Sequence, residues 1–160
     1  VVARLTDMGI EPYLLSSALV GAVAQRLART ICGACVTRYY PTEQVLIDAG
    51  LADHIGRPFK HGGGCRQCHD SGFQGRCGIY EVMEVTPELR RMIHHNAATH
   101  ELRAKVQQQG GLTLRQEGGI LALEGRTSVE EVLRVTRDDT EDDAAIRLER
   151  PADQARKEAA

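Results

Sequence analysis

Four cysteines, Cys32, Cys35, Cys65 and Cys68, fall into two C-x-x-C pairs, and this is the grouping in the sequence best suited to chemistry. Two residues between the members of a pair let both thiolates face one ion. Two such knuckles supply the four soft ligands that tetrahedral zinc takes. The 29 residues between Cys35 and Cys65, positions 36 to 64, form a longer loop than the commonest ribbons use. Closure entropy rises only with the logarithm of loop length, so that distance is no obstacle. Gly33 and Gly64 permit tight backbone turns, and Arg29, Arg38, Lys60 and Arg66 could offset the negative charge of four thiolates. With sulfur at all four positions no place is left for water or substrate, so the site reads as structural zinc rather than a catalytic centre.

Two other readings of the cysteines stand beside this one. They could be reduced and simply packed. A thioredoxin-like redox centre would need one C-x-x-C opening a helix in a βαβ setting, whereas here two pairs face each other across a loop. His61 and His69 flank the second knuckle and could stand near the metal or replace a ligand. Cys77 has no partner at metal spacing and reads as a small buried side chain. His94, His95 and His100 lie near expected helix ends, where a surface role at a helix C-terminus fits better than ligation.

The elements that must hold these residues can be read from periodicity. From Glu11 to about Arg29, Leu14, Leu15, Ala18, Leu19, Ala22, Val23 and Leu27 recur at the spacing of one helical face, with Pro12 in the first turn, which predicts an amphipathic helix. Between the knuckles a short helix signal covers Thr42 to Ala49, followed by Pro58 and the Gly62–Gly64 run. Arg76 to Val85 is short and β-prone and is expected to be a strand, ended by a helix start at Thr86-Pro87. Thr99 can cap a helix to about Gln109, and Leu112 to Glu124 makes another that Gly125 ends. Ser128 with Glu131 three residues on has the form of a capping box ahead of Val129, Val132, Leu133 and Val135. After Arg137 the apolar pattern collapses into acidic and then Ala-, Arg- and Glu-rich sequence, a frayed helix or disordered tail over 138–160.

Composition narrows the class. With 42% apolar and 26% charged residues the 160-residue chain has the mix of a globular protein, and with 4% aromatics and no Trp its core must come from Leu, Val, Ile and Ala. That palette favours a mainly α-helical fragment with a zinc-knuckle insert and a short strand segment. A formal charge of -2 gives no general pull toward nucleic acid, so no specific nucleic-acid partner is expected. No stretch approaches the roughly 18 uninterrupted apolar residues a membrane span requires. Five cysteines, four of them paired at chelating distance, suit a reducing cytoplasm better than a secreted disulfide framework. The opening Val1-Val2, without Met or a signal-like segment, reads as a cut through a longer protein.

Three stretches taken in order resemble the ATPases that drive type II secretion and type IV pilus assembly. Arg4, Leu5, Asp7, Met8, Gly9, Glu11, Pro12, Leu14, Leu15, Ser16 and Ser17, leading into Gln25, Arg26, Leu27, Arg29 and Cys32, resemble the end of that family's RecA-like motor domain. The paired knuckles resemble the zinc-binding insert of its tetracysteine members. Gly72, Phe73, Gly75, Arg76, Gly78, Ile79, Tyr80 and Glu81 resemble the segment after the second knuckle. The run from Thr113 and Leu114 through Gly118, Gly125, Thr127 and Ser128 to Glu130–Thr136 resembles the C-terminal helices. Departures are Cys77, Gly119 inside an expected helix, and the acidic tail.

The resemblance implies an α/β parent whose RecA-like motor ends near residue 31, a zinc insert over 32–75, a C-terminal strand and helices over 76–137, and the tail over 138–160. It further implies a cytoplasmic homo-hexamer, peripheral at the inner membrane through platform and assembly proteins, that hydrolyses ATP with Mg2+. The chain holds no G-x-x-x-x-G-K-S/T phosphate loop, so it is not expected to hydrolyse ATP by itself. Arg76, in the Gly-Arg-Cys-Gly turn, and Arg26, on the expected helix before the insert, are candidates for the nucleotide or subunit interface of the whole motor; ion pairing within the fold is the plainer role for each. An independent zinc ribbon that binds protein or nucleic acid is the alternative from a different class, and a zinc hydrolase is a third.

Overall fold

Pro12 opens a helix where the periodicity places one, but that helix stops at Ala18, and residues expected to continue it form an eleven-residue strand. The computed structural model describes residues 1–136, so the expectation for the tail over 138–160 lies outside the described residues. The elements run α1 (Val2–Asp7), α2 (Pro12–Ala18), β1 (Gly21–Ile31), β2 (Val36–Tyr39), α3 (Glu43–Asp48), β3 (Phe59–Gly62), β4 (Phe73–Glu84), α4 (Pro87–His94), α5 (Thr99–Gln108), α6 (Leu114–Leu123) and α7 (Val129–Val135). Short 3-10 turns lie at Ala52–His54 and Arg66–Cys68.

The reason the expected helix breaks is at Gly21. A glycine inside a helix costs about 1 kcal/mol against alanine, whereas at Gly21 a Cβ would stand 3.0 Å from the Met83 carbonyl oxygen. A side chain there would press on β4, which would have to give by a few tenths of an ångström, and β1 and β4 form a two-stranded sheet. Long-range pairing therefore overrides a helical hydrophobic pattern. The fold is mixed α/β, with the strand expected at 76–85 extended to twelve residues and a second long strand beside it.

The chain divides into two compact units. One comprises residues 1–25 and 80–113. Its core is Leu15, Val85, Leu89, Ile93 and Leu102, with Val2, Leu5, Ile10 and Val106 packed around them. Thr86 caps α4 by accepting the Leu89 N–H, with Pro87 in the first turn. Thr99 is not the cap of α5; Ala98 holds that position, and the Glu101 carboxylate returns to the Ala98 N–H at 2.9 Å. Alanine has no acceptor, so the reciprocal half of a capping box does the work alone. Arg90 donates to the Ser16 and Ser17 carbonyls at the end of α2. Lys105 pairs with Glu88 between α5 and α4.

Among the described residues, the other unit comprises 26–79 and 114–136. Leu46, Ala49, Leu51 and Phe59 pack with Ala122, Val129 and Val132 of α6 and α7, and a second cluster joins Ala28, Cys77, Ile79, Leu114 and Leu121. Gly118 belongs to this packing: a Cβ there would meet the Val132 side chain at 2.6 Å, so its absence lets α6 and α7 approach closely. β2 and β3 form an antiparallel hairpin with Val36 opposite Gly62 and Tyr39 opposite Phe59. Among the described residues no helix is long and apolar enough to cross a membrane.

Candidate metal centre

Each knuckle is built by backbone contacts that follow from its glycines. β1 delivers Cys32, whose N–H donates to the Gly72 carbonyl at 3.0 Å, and the Cys35 N–H closes a turn onto the Cys32 carbonyl at 3.3 Å. The β2–β3 hairpin then returns the chain, the Gly63 N–H donating to the Cys35 carbonyl at 2.9 Å, which places Cys65 two residues later beside the first pair. A Cβ on Gly62 would lie 1.9 Å from the Gly72 oxygen, and Gly72 has φ +74°. Neither position has room for a side chain, and Gly72 also requires the left-handed backbone that glycine alone adopts freely.

The result gathers four sulfur atoms, all within 4.8 Å of one another, from Cys32, Cys35, Cys65 and Cys68. Three of the edges are 4.0 Å for Cys32 to Cys65, 3.8 Å for Cys35 to Cys68 and 3.7 Å for Cys65 to Cys68. A tetrahedron with zinc–sulfur bonds of about 2.3 Å has edges of roughly 3.8 Å, so the spacing is that of a ligand set. It is not that of disulfides, which need about 2.05 Å, and all five cysteines are free. Cys32 and Cys68 are buried and the other two half-buried.

Backbone donors are already aimed at the sulfurs. The N–H groups of Cys65 and Gly72 point at the Cys68 sulfur, at 3.2 and 3.3 Å. Burial opposes ionisation of Cys68, but these donors and the thiols of Cys65 and Cys35 outweigh it and bring the group down to about 6. Cys35 goes the other way, pushed up to about 12 first by burial, against the Gly64 N–H, and by its hydrogen bonds with the other three sulfurs. The same sulfur contacts thus push Cys35 and Cys68 in opposite directions.

Other residues singled out by the sequence are placed as follows. His61 and His69 are outside the ligand group. His61, on β3, bonds to the Thr37 hydroxyl at 2.9 Å and packs edge-on against Tyr39, and His69 ends the 3-10 turn with a left-handed backbone. Cys77 is buried in an apolar cluster, as its isolation implied. His94 and His95 end α4, while His100 is the second residue of α5 and so lies at the opposite end of a helix from the one expected. Arg38 and Lys60 face each other across the hairpin and, like Arg66, are exposed. Arg26 and Arg76 are exposed positions on β1 and β4; Arg26 is on a strand, not on the expected helix.

Arg29 is committed elsewhere than to the thiolates. Its Nε and Nη2 donate to the two oxygens of Glu131 at 3.1 and 2.8 Å, its own backbone N–H donates to the same carboxylate at 2.9 Å, and its guanidinium lies 4.1 Å above the Phe73 ring. Arg134 adds a second fork, at 2.8 and 2.7 Å. Glu131 is 1% exposed, so this charge depends on its partners. Burial raises its proton affinity, but the bonds from Arg134 and Arg29 prevail and hold it at about 2. The capping-box form at Ser128 hid this role: Ser128 does accept the Glu131 N–H, but the carboxylate turns to the arginines. Beside it, the Tyr39 hydroxyl donates to Glu130 at 2.7 Å.

The chain matches the model of one protein family, described as type II/IV secretion system protein, over residues 1–134. It is 42% identical over 139 residues to the type II secretion system protein E of Pseudomonas aeruginosa, covering 86% of this chain and 27% of that protein. The putative type II secretion system protein E of Escherichia coli is 44% identical, covering 84% and 27%. The type IV pilus assembly ATPase PilB of Thermus thermophilus is 36% identical, covering 84% of this chain and 15% of its own length. The chain therefore spans about a quarter or less of these relatives.

Proposed function

We propose, from the premise that this chain belongs to the type II/IV secretion system protein family, that it is the zinc-bearing C-terminal part of a motor that drives protein secretion or pilus assembly. In this reading residues 1–31 close a RecA-like motor, 32–75 form the zinc insert and 76–137 the C-terminal region. The whole protein is a cytoplasmic homo-hexamer that hydrolyses ATP with Mg2+ and works at the inner membrane through platform and assembly proteins. The relatives named as type II secretion protein E and as a pilus assembly ATPase support both outlets equally. This chain has no phosphate loop, so hydrolysis belongs to the rest of the protein.

The observation that carries the role of the insert is the sulfur tetrahedron of Cys32, Cys35, Cys65 and Cys68. Zinc bound there would be enclosed by four thiolates, would join two chain segments 33 positions apart, and would leave no open coordination position. Such a site holds a shape and does no hydrolysis, so the insert acts as a rigid knob that transmits motor motion. Replacing Cys65 and Cys68 by Ser in the full-length protein should abolish transport while ATP turnover persists; transport that survives would sink the proposal. Arg76 and Arg26, exposed on their strands, are assigned to the nucleotide or subunit interface. Arg76→Ala should lower turnover by roughly tenfold or more with thermal stability unchanged, and unaltered turnover would refute its assignment.

A further inference from the structure

The two knuckles are held by different means. The second is fixed by its own backbone, through the crossing of Gly62 and Gly72 and the Ser71 hydroxyl, which donates to the Cys68 carbonyl at 2.5 Å. The first is tied to the second by the Cys32 N–H bond to Gly72 and the Gly63 N–H bond to Cys35, and is held in addition from outside by the segment Arg126–Glu131. The Ile31 N–H donates to the Arg126 carbonyl at 3.0 Å, and the Thr127 hydroxyl to the Arg29 carbonyl at 2.9 Å. Glu131 takes both the backbone N–H and the guanidinium of Arg29, and Glu130 takes the Tyr39 hydroxyl. The contacts therefore bracket Cys32 and Cys35 on both sides, three residues before the first and four after the second.

From this bracketing we infer that Glu131, with Glu130 beside it, is a positioning residue for the metal: it sets where the first knuckle stands, so that Cys32 and Cys35 meet the second knuckle at ligand distance. The inference rests on the zinc reading above. Glu131 touches no sulfur and acts through Arg29, whose guanidinium, stacked on Phe73, also reaches the chain just beyond the second knuckle. Groups that orient ligands in this way affect metal affinity by roughly 10- to 100-fold when removed. The buried carboxylate is suited to the task because a bidentate Arg pair fixes direction as well as distance.

The test is zinc release from the intact protein to a chromogenic chelator under native conditions, with the order of cysteine alkylation read by mass spectrometry. Glu131→Gln should release zinc roughly 10- to 100-fold faster than wild type, with Cys32 and Cys35 alkylated ahead of Cys65 and Cys68. Arg29→Lys, which keeps the charge but loses the fork, should fall between the two and guards against a Gln variant that fails to fold. Leu121→Ala, in an apolar cluster of the same unit, is the control for general destabilisation. If Glu131→Gln releases zinc no faster than Leu121→Ala, or the four cysteines react together, the inference is overturned. A wild-type protein that carries no zinc would instead sink the metal reading on which it stands.

Discussion

The two units of this chain are stabilised by different chemistry. The unit of residues 1–25 and 80–113 is held by one apolar cluster, with Leu89 and Ile93 almost wholly buried and helices capped by Thr86 and Glu101. In the other, the stretch from Ala52 to Arg76 contributes only Phe59 and Cys68 to the buried hydrophobic set. A segment that buries so little cannot offset the backbone entropy of its own ordering, which runs at about 1–2 kcal/mol per residue. Along that stretch four converging thiols stand where a core would otherwise be, while the rest of the unit packs two apolar clusters and holds the Glu131 carboxylate between two arginines. The difference teaches that the second unit depends on groups whose charge and ligation can be changed from outside, whereas the first does not.

Removing the zinc proposed for the four thiols is the strongest way to break that comparison. Structural zinc contributes on the order of 10 kcal/mol to the folding of small sites. Strong chelation should therefore remove amide exchange protection across residues 32–75 while leaving Leu89 and Ile93 protected, as followed by hydrogen exchange. Equal loss in both units would show that they do not differ as described. The converse change is Leu89→Ala, which should cost about 2–5 kcal/mol in the first unit. Zinc content measured after gel filtration should stay at the wild-type value below the transition, and its loss would make the first unit a support for the metal.

A smaller effect sharpens the account of the second unit. Glu131 lies at about 2 in the folded protein against an ordinary 4.5, so as pH falls the unfolded chain takes up this proton first. The stabilisation is complete above about 4.5 and drains away as pH approaches 2. The carboxyl carbon resonance of Glu131 should accordingly remain that of the ionised form well below pH 4. A midpoint near 4.5 would mean the arginines do not hold it.

Much of this was legible in the residues. The C-x-x-C spacing identified the four cysteines that the fold gathers, since ligand pairing is a local constraint. Thr86-Pro87 and Ser128 marked helix starts correctly because a cap acts within one turn. What the sequence concealed depends on distant partners. β1 looked helical since Leu14 to Leu27 keeps a helical period, and only pairing with β4 and the close approach of Gly21 to Met83 explain the strand. Arg29 resembled a counter-charge for the thiolates, but its partner stands 102 positions away. Glu131 fitted a capping motif so well that nothing nearby suggested a buried ion pair. The fork that joins them has no local signal, because each half has an ordinary local explanation.

The central claim is that Cys32, Cys35, Cys65 and Cys68 together enclose one zinc ion. X-ray absorption at the zinc edge of the purified protein, with metal content measured on the same sample, tests it most directly. The account predicts one zinc per chain with four sulfur neighbours at about 2.3 Å and no lighter ligand. A protein without zinc, or a zinc shell containing nitrogen or oxygen in place of any of the four sulfurs, would contradict it.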